Sequence, residues 1–250
     1  MSEIILERRG AISLIRLNRP EKKNAVTRAM YASMAAALQQ GDTDPDVRVH
    51  VLLGVPGAFS SGNDLADFMV IATGGSGGGE VFDFLKSLAR AQKPIVSGVD
   101  GIAVGVGTTI HLHCDLTFAT PRTEFRTPFV DLGLVPEAGS SLLAPAVLGR
   151  QRAFALLALG EGFSAERAQA AGLIYAVVAE DVLEDAVFAA AEAIAQKPPE
   201  ALKIARDLML GSRELLVTRI EEEAERFLER LKSDEARNAF VAFMSRKKAG

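Results

Sequence analysis

The chain has 250 residues, 48% of them hydrophobic and 24% charged, with 32 acidic against 28 basic residues and a formal net charge of −4. That length supports a full hydrophobic core in one large domain, or one domain with a substantial appendage, and the composition excludes wholesale disorder and a small disulfide-stapled module. The acidic balance, with basic residues clustered only at Arg246, Lys247 and Lys248, argues against a nucleic-acid surface.

Two short strands are expected first, Glu3 to Arg8 and Ile12 to Leu17, separated by Gly10. The loop NRPEKKNAV leads into TRAMYASMAAALQQG, where Met30, Met34, Ala37 and Leu38 recur at helical spacing and Gly41 supplies a stop. After the acidic turn DTDPD, Val47, Val49, Val51 and Leu53 alternate along a strand, with His50 turned to the opposite face. The turn-rich VPGAFSSGNDLADFM feeds an apparent helix, and the glycines of TGGSGGGE favour mobility over packing. A helix from Glu80 to Ala91 and a strand from Ile95 to Val99 restore the rhythm. DGIAVGVGTTIHLHCD then passes from a glycine-rich turn into a helical pattern before a strand at Leu116 to Ala119.

PFVDLGLVPEAGSSLLAPAVLG combines a short apolar stretch, a turn and a helix around Gly139 to Leu148. Helical patterns at Arg150 to Leu159 and Ala165 to Ala171 precede the strand-like IYAVV. From Leu183 onward the periodicity is helical, broken at Lys197-Pro198-Pro199 and at Gly211. Leu215, Ile220, Phe227 and Leu231 form an apolar stripe on a charged helix that Ala236, Phe240 and Phe243 continue, and Glu221-Glu222-Glu223 reads as a solvated face. The expected organisation is an α/β core over residues 1–195 and a helical C-terminal region over 196–250, packed on the core or on another subunit.

Three segments put flexible residues at loop-to-helix junctions: FSSGNDL around Asn63, GIAVGVGTT around Val106 and LVPEAGS around Glu137. Backbone amides at such junctions can face a ligand, and two of them converging on one oxygen form an oxyanion hole. Glycine required for tight packing is the competing explanation for each. Glu137, in an otherwise apolar region, suits either a buried carboxylate that shuttles a proton near neutral pH or a helix-capping residue. Asp64 and Asp67 read as a cap and a first-turn residue of the helix after Asn63.

His111, His113 and Cys114 lack zinc spacing, so no metal is expected. Phosphate-loop, dinucleotide-binding and nucleophile-elbow motifs are absent from the sequence. A single cysteine implies a reducing compartment, the opening MSEIILERRG is unlike a secretory signal, and no apolar run approaches the roughly 20 residues that span a bilayer. A soluble, cytoplasmic protein is expected.

Read together, NRPEKKNAV, GAFSSGNDL, KPIVSGVDGIAVGVG, CDLTFAT, PFVDLGLVPEAGSS and FSAERAQAAGLIYAVV resemble, in order and spacing over essentially the full chain, the enoyl-CoA hydratase/isomerase (crotonase) family. The resemblance implies a crotonase/ClpP-like α/β spiral of repeated ββα units with a helical C-terminal trimerisation region. It implies a role in fatty-acid metabolism on an acyl-CoA substrate, with coenzyme A as the carrier portion of the substrate, no tightly bound cofactor and a homotrimer or dimer of trimers. Its oxyanion amides fall on Asn63 and Val106. Its CoA-contacting segment falls on Lys22, Lys23, Asn24 and Ala25, and Phe68, Met69, Phe84 and Leu88 are loose candidates for the acyl pocket.

The two glutamates that hydratases of this family use fall on Thr109 and Phe129, neither of which can carry a proton as a carboxylate does. Glu137 instead matches the single glutamate of the peroxisomal-type 3-enoyl-CoA to 2-enoyl-CoA isomerase branch. The resemblance therefore implies isomerisation. Hydration, another acyl-CoA lyase or hydrolase reaction, and an inactive acyl-CoA-binding protein are the alternatives.

Overall fold

The computed structural model describes residues 2–64, 66–67 and 78–248. The helix expected after Asp64, most of TGGSGGGE, the pocket candidates Phe68 and Met69, and the side chain of Phe243 lie outside the described residues.

Strand β1 (Ile4–Arg9) pairs antiparallel with β2 (Ile12–Leu17), and β2 runs parallel to β3 (Val49–Leu53). From β3 the sheet continues in parallel through β5 (Ile95–Val99) and β7 (Leu116–Ala119) to β10 (Ala176–Val177). Parallel strands need crossovers, and helices on both faces of a sheet bury both faces of its strands. All five residues of β3 and of β5 are accordingly buried. Ile15, Leu17, Leu52, Ile95 and Val99 face one core with α1 (Arg28–Thr43) and α2 (Gly79–Arg90). Ile12, Leu14, Val49, Val51, Leu53 and Val96 face a second core closed by Leu183, Val187 and Ala191 of the helix Leu183–Ala195.

His50 departs from the expectation of a strand with one open face. It is fully buried, its Nε2 lies 3.1 Å from Asp42 Oδ1, and Gly41 is the residue that admits it, since a Cβ there would stand 2.4 Å from the ring. Gly41 therefore does not stop α1, which runs on to Thr43 from its N-cap at Thr27.

A second sheet, in the order β4 (Ala58–Ser60), β6 (Ile102–Val104), β8 (Glu124–Arg126) and β9 (Phe163–Ser164), was not anticipated from the sequence. Strands of two or three residues show no alternation to read. Each turn of the spiral contributes one strand to the first sheet and the next to the second, as in β3-β4, β5-β6 and β7-β8. Short helices α3 (Val106–Thr109), α4 (Ser140–Leu148), α5 (Arg150–Leu157) and α6 (Ala165–Ala171) link these turns.

The chain ends in α7 (Leu183–Ala195), α8 (Pro199–Leu210), α9 (Arg213–Leu231) and α10 (Asp234–Lys248), broken at the expected prolines and glycine. Val217, Ile220, Phe227 and Leu231 of α9, with Ala236 and Phe240, enter the first core, whereas Leu215 is 59% exposed and does not belong to the buried stripe. Helix α8 is anchored by a charge instead. Arg206, 3% exposed, donates to Asp115 Oδ1 and to the Ala91 carbonyl, both at 2.7 Å, while Asp115 Oδ2 accepts from the first amide of β5 at 2.8 Å.

Removing the buried Arg206 guanidinium takes the ion-pair partner from Asp115 and the shorter of two donors from the Ala91 carbonyl, which also accepts from Arg213 at 3.4 Å. Arg206→Met is expected to cost about 2–3 kcal/mol in urea unfolding, and Arg206→Met combined with Asp115→Asn less than the sum of the two singles. A single-mutant loss below about 0.5 kcal/mol contradicts this role.

Candidate active site

The loop after β2 turns through a 3-10 turn at Pro20–Lys22 and then places Lys23 (φ 49°) and Asn24 (φ 54°) in the left-handed region. Asparagine tolerates this conformation because its short amide bonds locally. The Asn24 side chain is fully buried: Oδ1 accepts from the Arg19 amide at 2.7 Å and Nδ2 reaches the Ala58 and Phe59 carbonyls at 3.0 Å. It brackets two loops, so its amide group faces protein. Lys22 and Lys23 point to solvent and Ala25 is half-buried.

The same loop is laced to the turn after β4. Ser61 N–H donates to the Lys23 carbonyl, Val26 N–H to the Gly62 carbonyl and Asp64 N–H to the Val26 carbonyl. In that parallel bridge Val26 bonds the residues on either side of Asn63, so the Asn63 N–H points away from Val26. Asp64 binds Arg19 at 2.6 Å and accepts from the Ala66 amide, and Asp67 accepts from the Arg28 amide, so both acids hold the loops together.

Strands β4 and β6 pair Ser60 with Ala103, which sets Asn63 and Val106 three residues beyond matched positions on adjacent parallel strands. Two glycines let the turns close on each other. A Cβ at Gly62 (φ 92°) would stand 3.1 Å from the Val104 carbonyl oxygen, and one at Gly107 would stand 2.9 Å from the Ser60 Cβ and carbonyl oxygen. Val106 heads α3, so its N–H has no acceptor within that helix.

Glu137, 5% exposed, meets this pair of turns through Thr109, whose Oγ1 donates to Oε1 at 2.6 Å. The first turn is held from the other side by Tyr31, whose hydroxyl donates to Asn63 Oδ1 at 2.5 Å. Asn63 and Glu137 share a small cavity, about 30 Å³, with Val81, Phe82 and Leu85 of α2 and Phe227 and Leu231 of α9. Phe84 and Leu88, offered by the sequence as pocket residues, are not among those that line it. They lie buried in the first core, Phe84 with its ring 5.6 Å from Tyr31. Phe129 is buried in the same core.

Burial pushes the Glu137 carboxyl up to about 7; the Thr109 hydroxyl opposes the shift, and the charge of Glu223 adds to it. Burial, with the charge of Glu137, raises Tyr31 well above its ordinary value. His111 bonds Ser97 at 3.0 Å and His113 the Ala138 carbonyl at 2.7 Å, and burial lowers them to about 3 and about 4, so both are neutral. Among the described residues no group of three His, Cys, Asp or Glu side chains is placed to hold a metal ion.

The sequence-derived residues thus come together: the Lys22–Ala25 loop against the Asn63 turn, that turn against Val106, and Val106 one helical turn from the threonine that holds Glu137. Tyr31, His113 and Glu223 were not anticipated. Glu223 is 7% exposed while Glu221 and Glu222 face solvent, which corrects the reading of that triplet as a solvated face. Its spacing from Ile220 and Phe227, three and four residues, was the available signal. A carboxyl of near-neutral affinity in an apolar enclosure can accept and return a proton, and free backbone N–H groups at turns of this kind can stabilise an oxyanion.

The sequence profile described as Enoyl-CoA hydratase/isomerase matches residues 7–250. Enoyl-CoA delta isomerase 2 of Rattus norvegicus is 35% identical over 254 residues, covering 98% of this chain; the chain spans 64% of that protein's length. A probable enoyl-CoA hydratase of Rhizobium meliloti is 30% identical over 250 residues, covering 98% of this chain and 96% of that protein. The solved structure of an enoyl-CoA hydratase/isomerase from Pseudoalteromonas atlantica T6c superposes with a TM-score of 0.93 at 35% identity, over 98% of each chain.

A carboxyl at about 7 in the fold and 4.5 as its ordinary value holds its proton longer in the folded state. Its stabilising contribution is complete below pH 4.5 and is lost as pH rises through 7, a swing of about 3 kcal/mol. Glu137→Gln never ionises, so chemical denaturation should show the variant gaining on the parent between pH 5 and 7.5 and then levelling. A difference that stays constant over that range rules out the raised affinity.

Proposed function

Because the chain belongs to the enoyl-CoA hydratase/isomerase family, we propose that it moves the double bond of a 3-enoyl-CoA to give the 2-enoyl-CoA. The observation that carries this reading is the lone carboxyl. Glu137 stands at the cavity, while Thr109 and Phe129, where a hydratase would place its acids, hold a hydroxyl committed to Glu137 and a core phenyl ring. Adding water takes a base for the water and an acid for the carbon; relocating one proton takes a single group that accepts and returns it.

In this reading the thioester oxygen accepts from the Asn63 and Val106 N–H groups. Glu137 removes a C2 proton, the C2–H electron pair forms the C1–C2 double bond, and negative charge collects on the oxygen that the two amides face. The protonated Glu137 returns the proton at C4, the C2–C3 double bond forms and the carbonyl is restored. Thr109 donates throughout to Oε1, which keeps the carboxyl aimed, and the apolar walls from α2 and α9 keep water off the enolate. In the same reading Lys22 and Lys23, exposed on the loop laced to the first amide turn, meet the phosphates of CoA; their exposure and charge support it. Assembly into a homotrimer belongs to the same proposal, supported by the exposed apolar strip of Ile204, Leu208, Met209 and Leu210 on α8 with Leu215 on α9.

Product analysis of the parent and Glu137→Gln with 3-enoyl-, 2-enoyl- and saturated acyl-CoAs tests the reaction. Double-bond migration is expected, at least about a hundredfold slower in the variant, with acyl-CoA affinity little changed. Near-normal turnover by the folded variant removes Glu137 from the chemistry. Faster hydration than migration in the parent overturns the reaction, and binding without turnover indicates a carrier. For assembly, light scattering of Leu208→Asp should report a smaller species than the parent; an unchanged mass removes that strip from the interface.

A further inference from the structure

The peptide group that follows Glu137 by one residue is held at both of its ends. Its carbonyl, from Ala138, accepts from His113 Nε2 at 2.7 Å, and its N–H, from Gly139, donates to Glu223 Oε2 at 2.6 Å. The other oxygen of Glu223 accepts from the Ser141 amide at 2.9 Å. Between these bonds Ala138 (φ 62°) and Gly139 (φ 68°) both adopt the left-handed region, which an alanine side chain disfavours and surrounding bonds must maintain. His113, neutral by burial, carries its proton on Nε2, because a carbonyl can only accept. Glu223 reaches this loop from α9, buried between Ile220 and Phe227, and places a carboxylate on two amides at the start of α4.

We propose that Glu223 is a positioning residue for Glu137: bound to the Gly139 and Ser141 amides, it fixes the loop that presents the Glu137 carboxyl to Thr109 and the cavity. It also places a negative charge near that carboxyl, which favours retention of the Glu137 proton. The ionisable groups about Glu223 are Glu137 and His113 across the loop, Arg219 on its own helix, and Tyr31 beyond Glu137. Burial raises the proton affinity of Glu223 itself, and the Ser141 hydroxyl, the Ser141 and Gly139 amides and Arg219 oppose the rise. A hydrogen-bonded carboxylate on a helix that also walls the cavity couples the orientation of the reacting group to the seating of α9.

The proposal rests on Glu137 as the proton carrier, and the test separates the two. E223Q keeps the size and one acceptor but loses the charge; E223D keeps the charge and withdraws it by one methylene. On the full chain, kcat and KM for a 3-enoyl-CoA are measured from pH 5 to 9, and the Glu137 carboxyl is titrated by carbon-13 NMR in selectively labelled protein. Expected for E223Q are a kcat lower by about tenfold or more, KM within about twofold, and a lower titration midpoint for Glu137. For E223D the expected result is a lower kcat with the midpoint still raised. Parent-like kcat and midpoint in folded E223Q overturn the proposal, and if E223Q does not fold, a parent-like kcat in E223D does so. Glu137→Gln is assayed alongside: parent-like turnover there removes the proton carrier, while the Glu137 midpoint in E223Q still reports the contact on its own.

Discussion

The site depends on the parallel register of β4 against β6. Pairing Ser60 with Ala103 puts Asn63 and Val106 at equivalent offsets beyond two adjacent strands, so the turns that carry them are neighbours. A slip of one residue would reverse the side chains of β6 between the faces of its sheet and carry Gly107 off Ser60. Close approach does the rest: Gly62 against the Val104 carbonyl and Gly107 against Ser60 leave no room for a side chain at either position. Two amides set by a sheet are also set rigidly, which a pair of free loops is not.

Around that frame the protein carries acids where acids are costly. Glu137 and Glu223 are both nearly excluded from water, and each receives hydrogen bonds that partly offset its lost hydration. Their treatment differs. Glu223 receives two amides at the start of α4 and has Arg219 on its own helix, all of which oppose the rise in proton affinity that burial imposes. Glu137 receives one hydroxyl and otherwise faces apolar side chains, so its charged and neutral forms lie close in energy near neutral pH. In the proposed reaction that contrast suits Glu223 to holding and Glu137 to exchange.

What could be read in the sequence follows the length of each signal. Helices α1, α2 and α7 through α9 carry several turns of apolar spacing, and β2, β5 and β7 were located to the residue. Strands β4, β6, β8 and β9 have two or three residues each, too few for a period, and lie among glycines that resemble loop. The same glycines made the amide turns visible, because close approach leaves a compositional trace. Asn63, Val106 and Glu137 were found through such traces and a family likeness. Tyr31 left none, since a tyrosine among helical apolar residues looks like core, and Glu223 left only its spacing from Ile220 and Phe227, masked by the glutamates beside it. Their roles exist only once α1 and α9 are brought against the turns.

Helix α9 also sets an order of events in the making of the molecule. The residues of the β4–β6 register and of the Thr109–Glu137 pair all lie at or before position 137, whereas the anchor of the Glu137 loop and one wall of the cavity come from residues 223–231. Synthesis runs from the N-terminus, so the strands of both sheets are made before α9 is. Until α9 docks, the Glu137 loop lacks its Glu223 anchor and the cavity lacks its Phe227–Leu231 wall, so seating the last long helices completes the enclosure instead of merely capping it.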